Sequence, residues 1–185
     1  MFRSQKIVKI SQRHLVSRKM CTDAIKEEIR TANMKGNGVW EITHTKDKGW
    51  GIYAISKIPK FTKIFRARAL SKGSERHSHS VQVGWNEHVF MDLPARFINH
   101  SCSANVGVKD NDIGAYDFFA LKDVPQGCEL TWDYGAAEFD SISIEQCLCG
   151  SASCRDTNIG FKSAHKEVRD QYGSHYAKYL HDWSL

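Results

Sequence analysis

Arg96-Phe97-Ile98-Asn99-His100-Ser101-Cys102 alternates apolar and polar residues, yet its Asn-His-Ser centre is a poor strand former. Such a segment, if buried, needs every polar side chain hydrogen-bonded. A hydrolase reading of His100, Ser101 and Cys102 fails. Sequence neighbours rarely face one another, and no G-x-S-x-G elbow or partner acid is recognisable. The segment therefore needs other parts of the chain to explain it.

Downstream, Glu129-Leu130-Thr131-Trp132-Asp133-Tyr134-Gly135 reads as a strand running into a glycine turn. Tyr134 stands at the strand end, where a side chain either leaves the sheet to line a cleft or joins the aromatic core. Upstream, Gly49-Trp50-Gly51-Ile52-Tyr53-Ala54 fits G-x-G-x-x-A. A dinucleotide site requires a helix opening at those glycines. The β-branched Ile52 and Ile55 and the following Pro59 exclude one. The glycines then serve either close backbone approach to a ligand or a tight turn before a strand. Near the end, Cys147-Leu148-Cys149-Gly150-Ser151-Ala152-Ser153-Cys154 is C-x-C-x₄-C. Three thiols in a polar loop favour metal over isolated free cysteine. Structural zinc takes four ligands, so a fourth must come from elsewhere: Cys102, Cys128, Cys21 or a His. The C-x-x-C pair and recognition helix of nucleic-acid-binding zinc modules are absent from the pattern.

The chain has 185 residues, with 41% hydrophobic and 25% charged. Those values predict one globular domain with short arms. The longest apolar runs are only a few residues, too short for a membrane-spanning helix. No apolar stretch follows the first basic residues, so no secretory signal is expected, and metal or free thiols precede disulfides as the reading of six Cys. Lys and Arg number 26 against 21 Asp and Glu, a net charge of +5. That balance permits contact with nucleic acid or an acidic surface without establishing either. The first 20 residues contain no acid. Three readings of them compete: a basic arm against nucleic acid, an organellar transit peptide, and a solvated segment with one packed face.

Thr22 to Lys35 has helical spacing and ends at Gly36-Asn37-Gly38. Eight short β-branched or aromatic runs follow, over 39–43, 50–56, 62–68, 80–85, 89–92, 105–108, 115–121 and 129–133. Leu70–Ser80 is polar and reads as a loop. From Lys162 the pattern is helical again, with Tyr172, Tyr176, Tyr179, Leu180 and Trp183 on one stripe that Gly173 weakens. The fold class expected is β-rich: mainly β, in several small sheets, with flanking helices.

Taken in order, G-W-G-I-Y-A, R-F-I-N-H-S-C, E-L-T-W-D-Y-G and C-x-C-x₄-C resemble the SET-domain protein lysine methyltransferases, from about Val39 to Phe161. The resemblance implies a SET fold with a knot-like crossing, in which R-F-I-N-H-S-C passes under the following strand. It implies an S-adenosyl-L-methionine cleft lined by Gly49, Trp50, Gly51, Asn99 and His100. Tyr134 becomes the catalytic residue, and Trp132 and Tyr134 line the substrate channel. One structural Zn2+ would be held by Cys102, Cys147, Cys149 and Cys154 in a post-SET-like segment. The division expected is 1–38, basic arm and helix; 39–141, SET catalytic core; 142–161, zinc segment; 162–185, C-terminal amphipathic helix. The implied activity is methylation of a protein lysine, on a histone tail, with a nuclear or chromosomal location; nucleosomal DNA contact through the basic arm would accompany it.

This sequence departs from the family pattern at three places. Ser103-Ala104-Asn105 replaces the usual x-Pro-Asn, Cys128 stands where Glu is common, and Trp132 where Phe or Tyr is common. Trp132 lies two residues before Tyr134, so on a strand both face one side. A larger ring there favours mono- or dimethylation over trimethylation, unless the indole tilts into the core. The competing function is a catalytically silent SET-like zinc module that binds a lysine-bearing peptide or nucleic acid. The presence of Asn99, His100 and Tyr134 argues against it.

Overall fold

The computed structural model describes residues 23–46, 49–77 and 79–184. The acid-free arm, Cys21 and the competing readings of residues 1–20 lie outside the described residues. Helix α1, Asp23–Lys35, carries an acid in its first turn and a base in its last, which suits the helix dipole. Its Ile29 and Ala32 are buried. The Asn33 side chain donates to the Ile42 carbonyl at 3.1 Å and accepts from the Ile42 N–H at 2.7 Å. Ile42 lies on β1, Trp40–Thr45, an edge strand whose outward backbone groups would otherwise lack partners.

The remaining strands are β2, Gly49–Ala54; β3, Lys63–Arg66; β4, Ala69–Gly73; β5, Ser80–Gly84; β6, Glu87–Met91; β7, Asn99–His100; β8, Val106–Asp110; β9, Tyr116–Ala120; and β10, Glu129–Trp132. The larger sheet runs β1-β2-β10-β8-β9-β3, with β7 also paired to β10; the smaller runs β4-β6-β5. Strand β10 organises the larger sheet. Glu129 and Leu130 pair antiparallel with Tyr53 and Ile52 of β2. Thr131 and Trp132 pair parallel with Asn99 and His100 of β7, and Trp132 with Val106 of β8. The odd polar segment thus lies along β10, and its bonding continues past β7. Ser101 N–H donates to the Trp132 carbonyl at 3.0 Å. The Asn105 side chain donates to the Glu129 carbonyl at 2.7 Å and accepts from the Thr131 N–H at 2.9 Å.

Two expectations need correction. The loop assigned to Leu70–Ser80 begins as strand β4, which pairs antiparallel with β6. Its side chains are nearly all exposed, so hydropathy carries no strand signal there. The C-terminal helix does not run over 162–185. Helix α2 spans Phe161–Tyr172 and stops at Gly173, whose φ of +57° departs from helical backbone. A single 3₁₀ turn at Lys178–Leu180 follows. Of the apolar stripe, Tyr172, Tyr176 and Leu180 are buried in the main core with Phe161, Ala164 and Val168, and the partly buried Tyr179 and Trp183 pack against it.

That packing makes residues 161–180 part of the domain's core. Leu180→Ala, at a position with 0% exposure, is expected to cost about 2–5 kcal/mol in urea unfolding. Leu148→Ala, at 85% exposure, should stay within about 0.5 kcal/mol. Equal effects at the two sites would contradict the core assignment.

Candidate active site

Strand β10 ends at Trp132, and the chain turns at once. Asp133 Oδ1 accepts the Gly135 N–H at 2.9 Å and caps a one-turn 3₁₀ helix, Tyr134–Ala136. Gly135 is required there, because a Cβ would lie 2.6 Å from the Ile159 carbonyl oxygen. Tyr134 is thereby turned back across β7. Its hydroxyl donates to the Ile98 carbonyl at 3.3 Å, and its N–H donates to His100 Nδ1 at 3.1 Å. His100 Nδ1 is therefore an acceptor, which leaves the imidazole proton on Nε2, 3.3 Å from Cys102 Sγ. Burial pushes His100 down to about 4, against the pull of the nearby Asp133 charge. Burial, with the Glu138 and Glu129 charges behind it, pushes the Tyr134 phenol up to about 12. At neutral pH both groups are uncharged, and Tyr134 is a donor.

The β2–β10–β7 pairing brings the glycine motif to the same place. Asn99 Nδ2 donates to the Trp50 carbonyl at 3.1 Å and to Glu129 Oε1 at 2.8 Å. A Cβ on Gly51 would come within 2.9 Å of that Glu129 oxygen and 3.0 Å of the Asn99 amide. Gly49 has φ +74°. The Trp50 ring stacks on Phe97 at 5.9 Å. Gly49, Trp50, Gly51 and Asn99 thus come together, while the buried His100 ring lies between the Tyr134 N–H and the Cys102 thiol. Trp132 is buried against Phe118 and Tyr116, and its ring also meets that of Tyr134 at 5.7 Å. Its indole Nε1 is buried without a partner.

Cys102, Cys147, Cys149 and Cys154 gather on the other side of His100, their sulfurs all within 4.8 Å of one another. Cys102 and Cys147 are 3.9 Å apart. Tetrahedral zinc with Zn–S bonds of about 2.3 Å sets its sulfurs about 3.8 Å apart, so the four thiols fit one zinc ion. Cys128 is not among them; its carbonyl pairs with the Ala54 N–H.

Residues 49–135 match the family model described as SET domain. Over those residues the chain is similar to a SET domain. Over 186 residues it is 39% identical to a histone-lysine N-methyltransferase, H3 lysine-9 specific KMT1, of Fusarium mangiferae, covering 73% of this chain and 51% of that protein. It is 29% identical to the H3 lysine-9 specific enzyme dim-5 of Neurospora crassa, covering 74% of this chain and 54% of that one. The human histone-lysine N-methyltransferase SETD2 is 30% identical over 135 residues, covering 62% of this chain and 5% of that much longer protein. The chain therefore spans about half the length of the two fungal relatives. In fold it is similar to Arabidopsis thaliana SUVH6, solved in complex with SAM, with TM-score 0.50 and 24% identity over 63% of this chain and 32% of that one.

Three residues important to the site carry no role in the sequence reading. Asp133 has a fully buried side chain. Arg155 grips it with two bonds, Nη1 to Oδ2 at 2.7 Å and Nη2 to Oδ1 at 2.6 Å. Tyr172 of α2 donates to Oδ2 at 3.1 Å. Burial works against the Arg155 charge, and the Asp133 carboxylate more than offsets it. Arg155 and Tyr172 lie beyond residues 49–135, so this network joins the SET match to the segment that follows it. An acid directly before the strand-end tyrosine and a base directly after the last cysteine were the available signals.

The cysteine geometry sets a clear expectation for metal content. Metal analysis of the purified chain should give one zinc per molecule, weakened or lost in Cys102→Ser and retained in Cys128→Ser. The reverse pattern would overturn the ligand assignment.

Proposed function

We propose that this chain is an S-adenosyl-L-methionine-dependent protein lysine N-methyltransferase acting on histone lysine. One observation carries the reading: the Tyr134 hydroxyl is bonded to the Ile98 carbonyl, next to Asn99, whose amide holds the backbone of the β2 glycine segment. The names of the relatives support histone as the substrate class, and a chromatin location follows from that class. The backbone of Gly49–Gly51, held close to Asn99, is the surface for the cofactor. The four thiols would hold zinc as a structural wall beside the lysine channel.

S-adenosylmethionine supplies an electrophilic methyl group on a sulfonium. The chain's task is to present a neutral amine in line with it. A lysine amine in water titrates near pH 10.4, so neutrality near pH 7.4 costs about 4 kcal/mol. A largely apolar aromatic channel lowers that cost by disfavouring the charge. Protonated Tyr134 and the Ile98 carbonyl fix the amine's direction at the channel end, and alignment at near-attack distance supplies much of the rate. Trp132 is not on a shared strand face with Tyr134, which lies on the turn after β10; its indole is tilted into the core and meets the Tyr134 ring from there. Its unpartnered Nε1–H is a buried donor, which typically costs about 1–3 kcal/mol until something accepts from it. A channel water or substrate group beside Tyr134 would meet that need.

Labelled S-adenosylmethionine with histones, nucleosomes and lysate tests the activity directly; no transfer to any lysine would defeat it. Tyr134→Phe is expected to lower turnover about 100-fold or more, while cofactor binding by calorimetry persists. Near-normal turnover in that variant would remove Tyr134 from the mechanism. Mass spectrometry over a long time course should give mono- and dimethyl-lysine from the unmutated chain and higher states from Trp132→Phe. Abundant trimethyl-lysine from the unmutated chain would sink the steric role of Trp132.

A further inference from the structure

We propose that Arg155 is a positioning residue that ties the seating of the four-cysteine segment to the placement of Tyr134. The residue connects the two directly. It follows Cys154, and its backbone N–H donates to Cys102 Sγ at 3.4 Å. Its Nε donates to the Asn158 carbonyl at 3.2 Å, which fixes the guanidinium plane. The fork on Asp133 then holds both carboxylate oxygens at 2.6 and 2.7 Å. One of those oxygens also caps the turn that aims Tyr134, through the Gly135 N–H. The other accepts from Tyr172, whose hydroxyl also lies 3.4 Å from the Cys102 carbonyl.

The chain between Cys147 and Arg155 has no regular secondary structure. Its position is set by what its side chains hold: the thiol cluster on one side and the Asp133 fork on the other. Tyr134 sits on a single 3₁₀ turn, capped by the same carboxylate. If the thiol cluster opens, the guanidinium leaves with it, and Asp133 is left as a buried charge. With only the Gly135 N–H and Tyr172 left as donors, that carboxylate is under-bonded, and the water it then recruits rearranges its cap on the turn. The aim of Tyr134 therefore depends on whether the cysteine segment is seated. Lysine cannot replace Arg155 in this role, because an ammonium is a point charge and cannot grip both oxygens in one plane.

The test labels the full chain with 3-fluorotyrosine and follows the Tyr134 resonance by 19F NMR, assigned with Tyr134→Phe. Chelation of zinc from the unmutated chain should move or broaden that resonance. Zinc-loaded Arg155→Lys, with zinc content checked by metal analysis, should show it already displaced. Its kcat should fall about 10- to 100-fold, with KM for methyl donor and peptide within about twofold. Asp133→Asn provides a second variant should Arg155→Lys not fold; it keeps the volume but sets an amide N–H against the guanidinium, and should displace the same signal. An unmoved Tyr134 resonance in the zinc-loaded variants, or on chelation, would overturn the proposal. The resonance needs no turnover, so absence of methyl transfer in the unmutated chain would bear on the proposed function alone.

Discussion

The buried carboxylate of Asp133 is the constraint from which the site's geometry follows. A charge with no exposure is tolerated only when hydrogen bonds replace its hydration. Here two come from Arg155, one from the Gly135 N–H and one from Tyr172. These donors come from three separate parts of the chain: the turn after β10, the cysteine segment and helix α2. Such a group adds little net stability against an apolar replacement. Its effect is selective. Any arrangement that misplaces one of the three segments leaves the buried carboxylate short of a donor, and loss of the cysteine segment also unpairs the guanidinium.

The same logic explains why β10 is short and central. Parallel pairing to β7 and β8 requires the chain to return to its side after a long excursion. Only a few residues of each strand can meet there. Side chains complete the backbone pairing that the strands are too short to provide. Asn105 bonds β10 at two points, Asn99 reaches across to Trp50 and Glu129, and His100 takes the N–H of Tyr134. The alternating polar pattern that makes 96–102 a poor strand is what lets it act as a hydrogen-bonded seam.

What was legible in the sequence was local. Gly51, Asn99, Tyr134 and the three clustered cysteines stand out because each type is unusual at its place. Gly51 is explained by the tight space between Glu129 and Asn99. The fourth thiol, Cys102, lies 45 residues before Cys147, and spacing alone left it equal to Cys128 and Cys21. The family resemblance separated them. Strand β4 was illegible because an exposed strand has no apolar face to display. β7 has only two residues, too few for any alternation. Arg155 and Asp133 were illegible for another reason. Charged residues are usually solvated, and a place beside Tyr134 or Cys154 does not say that the two will be buried together across 22 positions.

The charges around Tyr134 show how finely a neutral channel must be balanced. A neutral amine is favoured by apolar walls and by groups that are themselves uncharged. His100 and Tyr134 meet that condition, the first pushed down and the second up by burial. Glu138 works in the opposite direction, since a negative charge felt at Tyr134 favours a positive one beside it. It follows Tyr134 by four residues, and its N–H donates to the Tyr134 carbonyl at 2.7 Å. Burial pushes the Glu138 carboxyl up to about 7, while the Gln82 N–H and the Arg76 charge hold it from going higher. Burial thus works against its charge. In the proposed function, the burial that makes this carboxylate costly also weakens its pull on the proton of a lysine amine placed at Tyr134. The site thus keeps a hydrogen-bonded acid next to the turn that carries Tyr134, in surroundings that disfavour its charge.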